Sequence, residues 1–354
     1  MKAPRLDPRG RGNGHDLPKS NQGQEAGISQ YSPGHEIAFD RRAIPADAVE
    51  GRWNASDGFA IRRIDWPGPG GAARGSILFL PGRGDAYEKY LETLDYWARK
   101  GWRVTALDWR GQAGSGRLGT DEVTGHIPDF SLWVDDLSAF WSTWKRETPG
   151  PHVLAAHSMG GHIALRALAE KRVDPVALLL SAPMLGFTTG LLPIPLLHGI
   201  AMLMTRIGDP HRPAWKWSEK PGEVPADRSD LLTHDRDRYA DELWWREHRP
   251  ELVMGPGSWG WIERAYASMR ALERPGLLES ITTPVFVLAT SADRLVSPSA
   301  IRRTCARLPE CEMLCFGKEA RHEILREADP VRDRALTAID GFLDRVAPGT
   351  GDDG

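Results

Sequence analysis

The stretch His152-Val-Leu-Ala-Ala-His-Ser-Met-Gly-Gly-His-Ile-Ala-Leu-Arg-Ala-Leu168 limits what this chain can fold into more than any other. An apolar run with strand character ends on Ser158, and a helical pattern starts immediately after it, with Ile163, Ala164, Ala167 and Leu168 as the buried stripe. A strand that turns into a helix without a linker brings the two backbones close together, so the residues two before and two after the turn must be small. Ala156 and Gly160 are small. This is the context of a nucleophile elbow, written G-x-S-x-G, with Ala156 in place of the first glycine. Taken alone, Ser158 also reads as a helix-capping serine.

Around this segment, short apolar runs recur at Ser76–Leu80, Trp102–Asp108, Pro175–Ser181, Pro284–Thr290 and Cys311–Phe316, most of them separated by helix-length stretches. Such alternation predicts an α/β fold, a mostly parallel sheet covered by helices on both faces. Ahead of it, Gly51–Ala55 and Phe59–Trp66 flank Ser56-Asp57-Gly58, a turn signal that predicts an antiparallel hairpin. At 354 residues the chain holds two domains or one with an insertion, and the alternation breaks only between Met184 and about Glu279. The expected organisation is therefore a tail over 1–32, a core over 33–183 and 280–347, a helical cap insertion over 184–279, and a second tail over 348–354. The tails are rich in Gly, Pro and polar residues and poor in apolar ones, so ordering them would cost more than they bury.

Composition removes some functions. The 45 Lys and Arg against 48 Asp and Glu leave a net charge of −3, which offers no positive field for nucleic acid. Basic residues at the N-terminus are followed by Pro, Gly, Asn and Asp where a signal peptide needs an apolar run, which argues against that secretion route. The three cysteines, Cys305, Cys311 and Cys315, lack paired CxxC spacing. They read as reduced, buried or half-buried thiols of a cytoplasmic protein, and no metal is assigned.

A serine hydroxyl is a weak nucleophile and needs a positioned base, itself oriented by a carboxylate. After an elbow the chain order should be serine, acid, histidine. Asp293 stands just past the Pro284–Thr290 run, and His322, the only histidine after it, stands past the last run. His157, beside Ser158, is poorly placed to reach the hydroxyl and is given a structural or pocket-lining role. An oxyanion hole calls for backbone N–H donors: Met159 directly after the nucleophile, and Arg83 in the loop Phe79-Leu-Pro-Gly-Arg-Gly-Asp85. That loop carries neither GxGxxG nor GxxxxGK[ST], so a nucleotide site is rejected, and no cofactor is assigned.

With these residues in view, the chain resembles the α/β-hydrolases of the bacterial lysophospholipase and monoacylglycerol lipase branch, from about Ile77 to Leu343. Pro81-Gly-Arg-Gly-Asp-Ala-Tyr-Glu-Lys-Tyr90 is similar to the lysophospholipase oxyanion loop, whereas monoacylglycerol lipases usually have His-Gly at its start. Asp108-Trp-Arg-Gly-Gln-Ala-Gly-Ser115 resembles the family's D-x-R-G-x-G-x-S, with Ala113 as a departure. Leu232–Tyr239 and Gly255–Trp261 resemble lysophospholipase cap sequences. The resemblance implies hydrolysis of the fatty acyl ester of a lysophospholipid, a small-molecule lipid ester, through an acyl-serine, without cofactor. A monoacylglycerol lipase or general carboxylesterase, acyl transfer to another alcohol, and a non-catalytic lipid carrier on the same scaffold stay open.

Leu191–Met204 is the most apolar stretch, but it contains Pro193, Pro195, His198 and Gly199 and falls short of the about 20 residues that span a bilayer. It reads first as a buried cap segment; the alternative is that it lines an acyl channel or touches a membrane interface, which would make the protein membrane-peripheral. Trp215, Trp217, Trp244, Trp245, Trp259 and Trp261 read first as cap packing, with interfacial anchors as the alternative. The Arg83 side chain either meets a lipid phosphate or holds its loop through an acidic partner.

Overall fold

A computed structural model describes residues 39–68, 73–188, 193–215 and 228–348. Strands β1 (Val49–Asn54) and β2 (Ala60–Trp66) pair antiparallel, as the hairpin signal requires, with Gly58 at φ 83° in the turn. Strand β2 then pairs antiparallel with β4 (Trp102–Leu107). From there every pairing is parallel, through β3 (Gly75–Leu80), β5 (His152–His157), β6 (Ala177–Ser181), β7 (Val285–Thr290) and β8 (Cys311–Phe316). The sheet runs in the order β1-β2-β4-β3-β5-β6-β7-β8. The strand order reverses at β3, and the loops beyond the carboxyl ends on either side of such a point are where open α/β sheets place their ligands.

Burial explains why the helices sit on both faces. Strands β3, β5, β6 and β7 are buried almost throughout, so neither side of them meets water. Leu78, Leu80, Leu154 and Ala156 point into one apolar cluster with α2 (Ser131–Glu147), α3 (Ser158–Ala169) and α8 (Pro298–Cys305). Their neighbours Ile77, Phe79, Val153 and Ala155 point into the other, with α1 (Leu91–Arg99) and α9 (Asp329–Val346). This is the period-2 consequence of a pleated strand covered on both sides. The expected α/β-hydrolase fold is the one observed.

Between β6 and β7 the chain forms α4 (Ile194–Arg206), α5 (Ser229–Leu232), α6 (Arg236–His248) and α7 (Trp259–Leu272), with no named strand among the described residues. Helix α4 departs from the reading as a buried segment. Only His198 and Ala201 are buried on it, while Leu196, Ile200 and Leu203 face solvent and Ile207 just beyond is 66% exposed. Trp245 and Trp261 are buried as expected of packing residues, but Trp215 is exposed. None of the described helices is long and apolar enough to cross a membrane.

The cysteine reading is corrected as well. Cys305 at the end of α8 and Cys311 at the start of β8 form a disulfide, their Cα atoms 5.6 Å apart, and Cys315 is exposed. The helix-turn-strand return brings the two thiols together, a proximity that spacing alone does not reveal. The cytoplasmic expectation thereby loses the support it drew from reduced thiols. The expected tail over 1–32 and all but Pro348 of the tail over 348–354, together with Leu191, Leu192 and Trp217, lie outside the described residues.

Candidate active site

Ser158 is the first residue of α3, directly after β5, and its φ of 51° lies in the left-handed region that side chains other than glycine rarely adopt. Packing holds it there. A Cβ on Gly160 would stand 2.4 Å from the Pro81 carbonyl oxygen and 2.7 Å from that of Leu80, so α3 presses against the end of β3 and only glycine fits. The Met184 N–H donates to the Ser158 carbonyl at 2.8 Å, tying the turn to the segment after β6.

Asp293 and His322 come from the loops after β7 and β8, and the sheet brings both to Ser158. Asp293 Oδ1 accepts from the Leu295 and Val296 N–H groups at 2.8 and 3.0 Å, which aims Oδ2 at His322 Nδ1, 2.8 Å away. His322 Nε2 then lies 2.9 Å from Ser158 Oγ. With Asp293 on Nδ1, that nitrogen carries the proton and Nε2 is left to accept one. Burial pushes the His322 imidazole down, but the Asp293 carboxylate, with Glu323 and Asp85 behind it, outweighs burial and the pKa rises. Asp293 goes the other way: burial pulls it up, yet His322 and the two loop amides hold it below the usual carboxylate range. Its ionised form is therefore favoured.

The Arg83 loop is fixed on both sides. The Gly82 N–H donates to Asp85 Oδ2 at 3.2 Å and the Gly84 N–H to Gln112 Oε1 at 2.7 Å, while Trp109 Nε1 donates to the Pro81 carbonyl. Gly82 lies against the elbow, since a Cβ there would stand 3.1 Å from Ser158 Cβ. The Arg83 side chain reaches the Gly255 carbonyl at 2.9 Å and the faces of Trp215 and Trp261, contacts that hold its loop. Met159 occupies the first turn of α3, where amide donors have no partner within the helix. Met159 thus follows Ser158 directly, and Arg83 follows Gly82, which touches the elbow, and lines the same cavity as Ser158. Gln112, which positions the loop, lay in the quoted 108–115 segment but had no chemistry to single it out.

His157 is buried and lines the same cavity, its ring 4.8 Å from that of His322. Burial, then the charge of His322, pushes it down to about 3, so it stays neutral. Asp85, His157 and Glu323 lie close enough together to suggest a cation site. The Lys89 ammonium already occupies that position, 2.6 Å from both Asp85 Oδ1 and Glu323 Oε1. Above Ser158 opens a cavity of about 440 Å³, walled partly by the core and partly by residues between β6 and β7, Met184, Trp261 and Tyr266 among them. The arrangement suits acyl transfer: a serine with its base attached, at the floor of a chamber of ligand size.

The family model described as serine aminopeptidase, S33 matches residues 71–329. The chain is 31% identical to lysophospholipase L2 of Escherichia coli K12 over 285 residues, 76% of this chain and 80% of that one. It is 28% identical to the monoacylglycerol lipase of Mycolicibacterium smegmatis over 233 residues, 65% and 74% of the two chains. Among solved structures, a soluble variant of monoglyceride lipase from Saccharomyces cerevisiae superposes with a TM-score of 0.70 at 19% identity, covering 88% of this chain and 98% of that one. That likeness speaks for the fold.

Proposed function

Because this chain belongs to the family described as serine aminopeptidase, S33, we propose that it is a serine ester hydrolase that removes the fatty acyl group of a lysophospholipid. Although the family description names a peptidase, the relatives that match over most of their length are lipid esterases. In this reading Ser158 Oγ attacks the acyl carbonyl while His322 Nε2 takes its proton. The Met159 and Arg83 N–H groups receive the oxyanion, and Asp293 holds the imidazolium. His322 then protonates the departing alcohol, and water repeats the sequence on the acyl-Ser158 ester to release the fatty acid. The observation that carries the proposal is the unbroken line Asp293–His322–Ser158, with contacts of 2.8 and 2.9 Å, at the floor of the cavity. In this reading 184–279 is the cap insertion, and its described residues wall part of the chamber.

The test is fatty-acid release from lysophosphatidylcholine and from monoacylglycerol, by the wild type and by Ser158→Ala. Wild-type release favouring the lysolipid, with at least about a 10³-fold loss in the variant, is expected. Equal turnover by the variant sinks the assignment of Ser158, and preference for the glyceride moves the substrate to the neutral ester. A non-catalytic lipid carrier has no use for an activated serine, and failure of a fluorophosphonate to label Ser158 would favour it.

A second reading concerns how substrate arrives. Leu196, Ile200, Leu203 and Ile207 recur at intervals of four, three and four residues, which places them in one stripe on α4 and its end. All four are exposed. An apolar stripe in water beside a lipid-ester cavity supports peripheral contact with a membrane interface.

A further inference from the structure

Part of the cavity over Ser158 is lined by charges that acyl transfer itself does not use, Lys89, Asp85, Glu242 and Glu323 among them. Lys89 belongs to the single 3-10 turn Tyr87–Tyr90 that follows the Arg83 loop, and its side chain is only 7% exposed. An ammonium withdrawn from water on its own tends to give up its proton. Burial pulls this one the same way, but Asp85, Glu242 and Glu323 outweigh it and hold its pKa above the ordinary range. Lys89 therefore stays charged at neutral pH.

An ammonium offers three N–H donors, and three carboxylates surround this one. Lys89 Nζ lies 2.6 Å from Asp85 Oδ1, 2.6 Å from Glu323 Oε1 and 3.1 Å from Glu242 Oε2. Burial pulls the Glu242 carboxyl up, but Lys89, Arg246 and Arg326 hold it well below its ordinary range, so it stays ionised. Three acceptors for three donors leave the ammonium committed to the protein rather than to a substrate oxygen.

Each carboxylate belongs to a different part of the site. Asp85 Oδ2 accepts from the Gly82 N–H at 3.2 Å and from the Tyr90 hydroxyl at 3.1 Å, so the group that Lys89 grips by Oδ1 is the one that holds the loop carrying Arg83. Glu323 follows His322 directly, its backbone N–H donating to the Leu232 carbonyl at 2.8 Å and its second oxygen accepting from Arg326 Nη1. Glu242 lies on α6, where Oε2 accepts from Arg326 Nη1 at 2.9 Å and Oε1 meets Arg246 at 2.7 Å. One ammonium thus ties the loop after β3 to the loop after β8 and to a helix between β6 and β7.

Oxyanion stabilisation and proton transfer act on one ester from these two loops, and both depend on placement: a displacement of about 1 Å costs on the order of 10²-fold in rate. The sheet does not join the loops directly, since β5, β6 and β7 stand between β3 and β8. We propose that Lys89 is the positioning residue that sets their spacing, through Asp85 on the oxyanion side and Glu323 on the base side. The Arg83 N–H and His322 Nε2 then meet the same carbonyl at Ser158. The inference rests on the ester-hydrolase reading and extends it to a residue outside the triad and the oxyanion donors.

The experiment measures kcat and KM on p-nitrophenyl butyrate, a soluble ester, and inhibition by a trifluoromethyl ketone, whose addition to Ser158 mimics the tetrahedral intermediate. The wild type is set against Lys89→Met, Lys89→Arg and Asp85→Asn, each counted per folded protein with its thermal unfolding recorded. Lys89→Met keeps the stem and removes the charge. It is expected to lower kcat about 10²-fold, to change KM about threefold at most, and to weaken the ketone by a factor similar to the loss in kcat. Lys89→Arg, which keeps a cation, should recover at least about tenfold of that loss. A kcat that survives in folded Lys89→Met, whatever its Tm, makes Lys89 a packing residue and overturns the proposal. So does a loss carried by KM alone, which would make it a substrate contact. If Lys89→Met does not fold, Asp85→Asn decides: it loosens the oxyanion loop alone, the same split is expected, and an unchanged kcat overturns the proposal. A wild type that cleaves no ester and resists fluorophosphonate labelling overturns the hydrolase reading and this role together, whereas an active wild type with indifferent variants overturns the role alone.

Discussion

A buried imidazole left to itself would be pushed down and kept neutral, as His157 is. His322 escapes because Asp293 stands 2.8 Å from its Nδ1 and outweighs the burial. Since the base must be neutral to take the Ser158 proton, activity is expected to rise with pH through that raised value. Asp293→Asn removes the carboxylate and leaves burial in control. The rising limb should then move to lower pH while kcat falls on the order of 10⁴-fold, through the wrong tautomer. A pH–rate profile of the variant measures both, and an unmoved limb would mean that another group sets the His322 environment. At this scale the sequence was highly legible: Ser158, Asp293 and His322 announce themselves by chain order and by their places after apolar runs. Gln112, Lys89 and Glu242 do not, because a polar residue that props a loop or lines a wall has no spacing rule.

The elements were legible wherever a period decided them. β3, β5, β6 and β7 are runs buried on both faces, and no other local structure suits such short apolar stretches between helices. Helix α4 shows where the period stops informing. Ile194, Leu197 and Met204 lie apart from the Leu196-Ile200-Leu203 stripe, so apolar residues stand on more than one side, and the sequence does not say which of them meets solvent. The structure turns the stripe outward. Leu203→Glu is therefore expected to lower co-sedimentation with lipid vesicles several-fold, and to slow turnover of vesicle-borne substrate more than that of a soluble short-chain ester. Equal binding by the variant and the wild type would rule out the α4 contact.

Over the whole molecule, buried histidines link the segment after β6 to the core. His162 Nε2 on α3 bonds Ser268 Oγ on α7 at 2.7 Å, and His126 Nδ1 bonds Ser258 Oγ at the start of α7 at 2.8 Å. Burial pushes His162 down to about 3 and His126 to about 4 from an ordinary 6.5. Between those values the unfolded chain binds protons that the folded one does not, so stability falls as pH drops below about 6.5, by up to about 1.4 kcal/mol per pH unit for each histidine. His322, shifted upward, has the opposite sign: its contribution is full below the unfolded value and is lost as pH rises through the folded one. Thermal unfolding from pH 7 to 4.5 should show a steady decline that is shallower in His162→Gln. An identical slope in that variant would remove His162 from the acid response.

What the sequence determined by itself was whatever local pattern carries: alternation of strand and helix, the small residues around Ser158, and the order of serine, acid and histidine. Burial periodicity belongs to an element's own axis and can be read one segment at a time. The tertiary structure alone decided which distant segments meet. It joined Cys305 to Cys311, turned the apolar stripe of α4 to water, and set Lys89 after β3 among Glu242 of α6 and Glu323 beside His322. Contacts of that kind depend on how the elements dock against one another, and the residues that make them stand too far apart in the chain for any spacing to record them.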